Sequence, residues 1–490
     1  MKNKGFTLVE LLAVIVVLAI ILTIAVPNVI KIIDKAKTDS YERQKDLILD
    51  AAKKHVMVNE KDILWNENTA EIPLETLQNE GFLPNPVKDP RGGVFDSLET
   101  KIIVTRNNDK YTYELIVPNE SVDSDYVIEK GVNKPKLVAG MTPIKWDDTE
   151  WVETNENDAD WYSYDATNKK WANARTKDGS MWVWMPRYAY QIAEGYHTAT
   201  TGTINIKFLK NTSDVASDGE TIERDPTYDA DKQTNYIVHP AFTFGADELT
   251  GIWVAKFEAS NDNGNVKIVP GVTSWRTFSV GDSFDKCRAM ETNLIYGWGD
   301  TGANIDTHLM KNIEWGAVAY LSKSEYGKET EITFNSSSYT GGGQDISYMS
   351  NEGQSTTGNI YGIYDMSGCG WERVAAYVDN GSSSLDNGTS ILSAADKYRD
   401  VYIVTEDGQE NNYNNASSKI GDAVCETSLS YEGSTSWFSD SSSMPSFNSP
   451  WFARGGHYAY GTNAGVFHFS GTDRDPVSSF RPVLLVGEGL

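Results

Sequence analysis

Glu10 is the sole ionisable side chain in the apolar run from Phe6 to Val26. A carboxylate in such a run costs roughly 2.5–3.5 kcal/mol at a bilayer centre, so its retention points to an electrostatic partner. Ahead of it stand a short basic head, with Lys2 and Lys4, and then the small residue Gly5. An ordinary secretory signal is cut at a small-residue site after its apolar core. Here the only good site lies before the core, so Phe6–Val26 stays with the mature chain. At about 1.5 Å per residue the run can cross a hydrocarbon core of ~30 Å, leaving Lys2 and Lys4 in the cytoplasm. Pro27 then kinks or loosens the helix, because it lacks an N–H and crowds the preceding turn.

The other chemistry-bearing residues are scattered. Cys287, Cys369 and Cys425 form no CxxC pair and are too few for a disulfide scaffold; one bridge with one leftover thiol stays open. Six histidines occur without HExxH or any paired metal spacing. Glu314, Asp365 and Glu372 lie near apolar residues, yet nothing fixes two carboxylates at a workable separation. Asp365 reads as a turn or fold-stabilising residue and Glu372 as a buried hydrogen-bond partner. The Asn261–Asn265 cluster lacks the downstream glutamate of an EF-hand, so Asn263-Gly264 reads as a tight hairpin turn. No catalytic residue and no metal ligand is assigned. No cofactor is expected, with calcium left open.

The end of the chain is richer in recognition chemistry. His457-Tyr-Ala-Tyr-Gly-Thr-Asn463 and His468-Phe-Ser-Gly-Thr-Asp-Arg-Asp475 mix aromatic, polar and small residues. Tyrosine supplies contact area at low entropy cost, and Ser, Thr, Asn and Gly supply adaptable hydrogen bonds. The expected ligand contacts are His457, Tyr458, Tyr460, Asn463, His468, Thr472, Asp473 and Arg474. Between the two loops Ala464–Phe467 reads as a buried strand that holds them apart. Plain solvated loops are the alternative.

These residues need elements to position them. Helix continues past Pro27 to about Glu60, with Ile48, Ala51, Ala52 and Val56 at helical spacing. Asp50 precedes Lys54 in the favourable i,i+4 order. Residues 61–117 read as a small head. In it Ile72–Leu77 begins a short helix stopped by Gly81, and strands 101–105 and 111–117 meet at an Asn107-Asn-Asp109 turn. The polar, acidic stretch 118–136 reads as a linker, and 137–490 as a second domain rich in Trp, Tyr, Gly, Ser and Asn. Short strands there include Met181–Met185 and Gly251–Phe257.

Net charge is −26, and loss of Lys2 and Lys4 with residues 1–5 would take it to −28. Residues 6–60 carry seven basic and seven acidic side chains, so the whole excess lies beyond the stalk. Such a surface repels phosphate and anionic lipid, and there is no basic stripe of the kind nucleic-acid binding needs. Nucleic acid is not an expected partner of this chain.

The phrase Gly5-Phe-Thr-Leu-Val-Glu-Leu-Leu12 closely resembles the class III leader of type IV prepilins and pseudopilins. That resemblance implies cleavage between Gly5 and Phe6 by a prepilin peptidase, and N-methylation of the new Phe6 amine. It also implies pairing of Glu10 with the Phe amine of a neighbouring subunit during assembly. The phrases Met310–Leu321, Asn359–Glu372, Arg454-Gly-Gly456 and Phe480-Arg-Pro482 resemble the formylglycine-generating-enzyme-like family in order and spacing. The fragments Trp171-Ala-Asn-Ala and Asp178–Trp184 look like its bacterial surface relatives. That family implies a C-type-lectin-like fold, an irregular α/β arrangement with much loop, and in lectin-like relatives the terminal region presents the ligand face. Its oxidase members hold copper on C-terminal cysteines, but no cysteine follows Cys425, and Gly368-Cys-Gly-Trp-Glu-Arg373 departs from the family's Gly-Asn-x-Trp-Glu-Trp phrase. Oxidase activity is therefore not expected, and the family's calcium site is in doubt.

The expectation is an α+β chain with a long pilin helix (6–60, membrane-spanning over 6–26), a helix-plus-hairpin head and a lectin-like domain. It would enter the cytoplasmic membrane as a precursor and pass to the cell surface in a pilus, among other pilin subunits. As a minor or tip-located subunit it would display a non-catalytic domain for a glycan or protein ligand. A structural pilus or type II secretion pseudopilus subunit without a ligand is the alternative, and a tethered oxidase the third reading.

Overall fold

The computed structural model describes residues 40–117 and 131–487, apart from 42, 62, 67, 89–93, 96, 98–99, 108–109, 225–226, 277–278, 299–303, 344–347, 405–407 and 474–477. The expected leader, the apolar segment with Gly5, Phe6 and Glu10, most of the linker, and Arg474 lie outside the described residues. The chain divides into two compact units, 1–123 and 124–490. Both mix helix and strand, with strands predominating.

In the first unit residues 40–59, save 42, are helical. Ile48, Ala51, Ala52 and Val56 form the buried stripe that their spacing predicts. Asp50 pairs with Lys53 at 2.8 Å, one residue short of the expected Lys54. The stripe shares a core with a three-stranded antiparallel sheet, Thr69–Pro73, Lys101–Asn107 and Lys110–Ile116 in that order. The hairpin falls where the sequence puts it. The short helix does not begin at Ile72: Ala70 and Ile72 alternate inward on a strand, and Leu74–Asn79 is the helix. Pro73 explains the switch, since a proline fits at a helix start but not inside one. Gly81 then has φ +77°, as a helix stop requires.

The second unit is built on two seven-stranded sheets. The first runs Ile305–Leu309, Pro482–Val486, Gly251–Ala255, Met181–Pro186, Asn173–Thr176, Met141–Trp146 and Trp151–Glu153. Its central strands, Met181–Pro186 and Gly251–Ala255, are buried at every position, which is why they read as unbroken apolar runs. Trp184 and Trp253 meet edge to face at 5.3 Å. Their indole N–H groups donate to the carbonyls of Asn133 and Lys136. Residues 131–136, expected as linker, are thus part of this unit: Val132 and Asn133 are buried, and the Asn133 amide donates to Thr250 O at 2.8 Å. Their polar character misled because their backbone carbonyls accept from buried indoles and the Asn133 side chain is held by Thr250 and Asn211.

The second sheet centres on Trp371–Asp379, flanked by Trp451–Gly455 and Gly465–Thr472 on one side and Asp400–Ile403 on the other; Ser478–Phe480 also pairs with it. Helix Val280–Ala289 starts on a Ser279–Asp282 capping box, and helix Asn312–Lys323 buries all but two of its residues. Asn263 and Gly264, at φ +53° and +87°, form the expected two-residue turn between Ser260–Asp262 and Asn265–Lys267.

Arg481 joins the two sheets. Its guanidinium grips Glu372 with Nε–Oε2 2.9 Å and Nη2–Oε1 2.5 Å, both side chains fully buried. The same group donates to Ala255 O in the first sheet and to Tyr364 O in the preceding loop. Removing one partner of a buried pair leaves an uncompensated charge and costs about 3–5 kcal/mol. Arg481→Met is expected to lose that much in chemical denaturation, and Arg481→Met/Glu372→Leu to recover part of it. Equal stability of Arg481→Met and wild type would contradict this role.

Candidate functional site

After Arg454 the chain leaves the core. The Arg454 guanidinium is buried, donating to Asp422 O and Ala423 O, and Gly455 and Gly456 follow at φ +81° and +70°. A Cβ on Gly456 would lie 2.7 Å from the Ala464 Cβ, so only glycine lets the two ends of this loop close. Tyr458 N donates to Cys369 O at 3.0 Å, anchoring the loop on the segment before Trp371.

The loop builds an aromatic cluster. His457 meets Trp371 edge to face at 4.6 Å, Tyr460 meets Trp371 at 5.4 Å, and His457 lies 5.2 Å from Tyr458 and 5.5 Å from Tyr460. All four are half-buried, and Asn463 is exposed. Trp371 Nε1 is buried without a hydrogen-bond partner. This is a partly open, preorganised aromatic surface with polar edges, the composition of a recognition patch.

Three other expected contacts are not part of that open surface. The strand Gly465–Thr472 runs well past Phe467, so His468 and Thr472 lie in a sheet and not in a loop; both are buried. His468 packs beneath Tyr460 at 5.6 Å, and neither ring nitrogen has a partner. Burial, with Arg454 and His457 nearby, lowers its pKa to about 3. Asp473 is half-buried and accepts from Asn387 Nδ2. Arg474 lies outside the described residues. The mixed polar sequence hid the strand because this sheet is covered on both faces, so period-2 alternation is absent.

Sequence reasoning missed Trp371 and Arg276. Trp371 sat inside a motif read for the fold, and Arg276 carried no spacing signal. The Arg276 guanidinium reaches the Tyr458 ring, 5.9 Å from its centroid. It thereby links the aromatic surface to a cleft of about 870 Å³ beside the Ser260–Lys267 hairpin.

The buried acids are held internally. Asp365, at φ +65°, accepts from Asn335 Nδ2 and Gly341 N at 2.9 and 2.8 Å. Burial pushes Glu258, Asp365 and Glu372 upward, with Arg481 opposing it. His308 bridges Asp306 (2.6 Å) and Glu314 (2.8 Å), all fully buried under Phe244. Despite their burial, ion pairing and hydrogen bonding with His308 bring Asp306 and Glu314 to about 2, the signature of a structural ion network. All three cysteines are free and buried, with thiols raised by burial. Among the described residues no group of three or more His, Cys, Asp or Glu side chains is arranged to hold a metal ion.

The model of the prokaryotic N-terminal methylation motif matches residues 1–26. No curated protein matches the chain. The N-terminus is therefore type IV prepilin-like, a motif consistent with a membrane-anchored precursor, processing by a prepilin peptidase and assembly with other pilins. Among the described residues no helix is long and apolar enough to cross a membrane.

A buried neutral His468 stabilises the fold only above its unfolded pKa of 6.5. As pH falls toward 3 the unfolded chain takes up a proton that the folded chain refuses, removing about 2 kcal/mol by pH 5. His468→Phe is expected to unfold no earlier than wild type at pH 7.5, and its advantage should widen at pH 5 in thermal melts. A constant difference at both pH values would contradict a neutral, unpartnered His468.

Proposed function

We propose that this chain is a minor or tip-located type IV pilin-like surface subunit whose second unit displays a non-catalytic ligand-binding surface. The pilin part rests on the methylation motif over residues 1–26. In this reading Gly5–Phe6 is the processing site, and Glu10 pairs with the methylated Phe6 amine of a neighbouring subunit. The binding part is carried by one observation: Trp371, His457, Tyr458 and Tyr460 form a half-exposed aromatic cluster on a glycine-closed loop, beside a cleft. A resemblance to formylglycine-generating-enzyme-like, C-type-lectin-like domains agrees with ligand display by this region. The absence of catalytic chemistry in the reading is supported by acids and thiols that are buried and internally engaged. The bulk of 367 residues beyond the first unit would crowd a helical array if every subunit carried it, which favours a minor place.

A structural pilus or pseudopilus subunit is the second reading. Leu47 and Val58, 56% and 73% exposed, share one side of the 40–59 helix and suit packing among other helices in either reading.

Filaments purified from cells are expected to contain the protein as a small fraction of total pilin, with an N-methylated Phe6 as its first residue by mass spectrometry. Recovery as the main component at regular stoichiometry would sink the minor-subunit reading. An uncut Met1 terminus in assembled filaments would sink the processing assignment.

A further inference from the structure

The cleft beside the aromatic loop runs against the charge of the rest of the protein. The chain carries −26, yet among the described residues Asp262 is the only acidic side chain lining the cleft, against Lys267 and Arg276. Lys286 stands at its margin, 5.6 Å over the Trp275 ring. Lys267 reaches Asp262 at 3.4 Å. Arg276 has no carboxylate partner among the described residues, and its guanidinium lies 5.9 Å from the Tyr458 ring centroid.

The cleft is also built to hold its shape. Trp275 is buried against Phe480, with ring centroids 5.8 Å apart. Cys369 O accepts from Tyr458 N at 3.0 Å. The cleft and the aromatic surface therefore share a wall, with Arg276 and Tyr458 at the join. Ser260, Asn261 and Thr273 add neutral hydrogen-bonding groups along the lining.

We infer that this cleft binds the carboxylate of an acidic sugar, of the uronic or sialic class, with Arg276 as the clamp and Tyr458 as the platform for the ring. The inference rests on the reading of the second unit as a ligand-binding surface. A guanidinium presents a planar fork that matches a carboxylate with two parallel hydrogen bonds. An aromatic face and neutral hydroxyl and amide groups match a sugar's apolar face and hydroxyls. The acidic balance of the chain repels such a ligand in general, and Arg276 supplies a local cation to offset that repulsion at the cleft.

The test uses the full chain in detergent micelles. The probes are 3′-sialyllactose and a hyaluronan tetrasaccharide, with lactose and chitotetraose as uncharged counterparts. At least one acidic probe is expected to bind about tenfold or more tighter than its counterpart, the size of one charge-assisted hydrogen-bonded contact. Arg276→Gln should abolish that preference, Arg276→Lys should retain part of it, and thermal melts should match wild type. Equal affinity for charged and uncharged probes, no binding of either acidic probe, or a preference that survives Arg276→Gln each overturns the inference. Binding of uncharged probes that is lost in Tyr458→Ala but indifferent to Arg276 would overturn the acidic-sugar inference alone. Attachment of filaments to host cells that is indifferent to Tyr458 and Tyr460 would instead overturn the underlying reading.

Discussion

The fully buried Arg481–Glu372 pair is the constraint on which the second unit depends. One guanidinium receives a carboxylate from the second sheet, a carbonyl from the first and a carbonyl from the loop between them. Two charges removed from water are tolerated only when their hydrogen bonds are completed, and here the surrounding backbone completes them. The geometry fixes where the Trp371–Asp379 strand begins, because Glu372 is its second residue. Trp371 and Cys369 are set by the same lock. Trp371 supports His457 and Tyr460, and Cys369 anchors Tyr458. The aromatic cluster is thus supported from the ionic centre outward.

Local rules were legible wherever the local environment decides the outcome. The Asn263-Gly264 turn needs two residues at positive φ, and the sequence supplies the pair best suited to it. The stripe Ile48, Ala51, Ala52 and Val56 and the 101–116 hairpin follow from period alone. What period could not show was set by distant partners. Residues 131–136 look like linker until Trp184 and Trp253 are placed against their carbonyls. His468 looks like a loop residue until the second sheet is seen to be covered on both faces. Arg276 becomes informative only through its neighbours: a ring 5.9 Å away and, among the described residues, no acid beside it.

The two units divide the work implied by the sequence. A prepilin-like N-terminus accounts for processing and assembly, and the small head buries one face of the 40–59 helix while leaving Leu47 and Val58 exposed. In the larger unit His308 is engaged internally by Asp306 and Glu314, Glu372 by Arg481, and all three thiols are buried. Its half-exposed chemistry at the 457–460 loop consists of the Trp371, His457, Tyr458 and Tyr460 rings, with the Arg276 guanidinium against Tyr458.

The most direct test of that account is attachment of piliated cells to host surfaces when Tyr458 and Tyr460 are both replaced by alanine. The account predicts loss of attachment with filament number and length unchanged. Attachment equal to wild type, with the altered protein present in the filaments, would contradict a ligand-binding role for this surface.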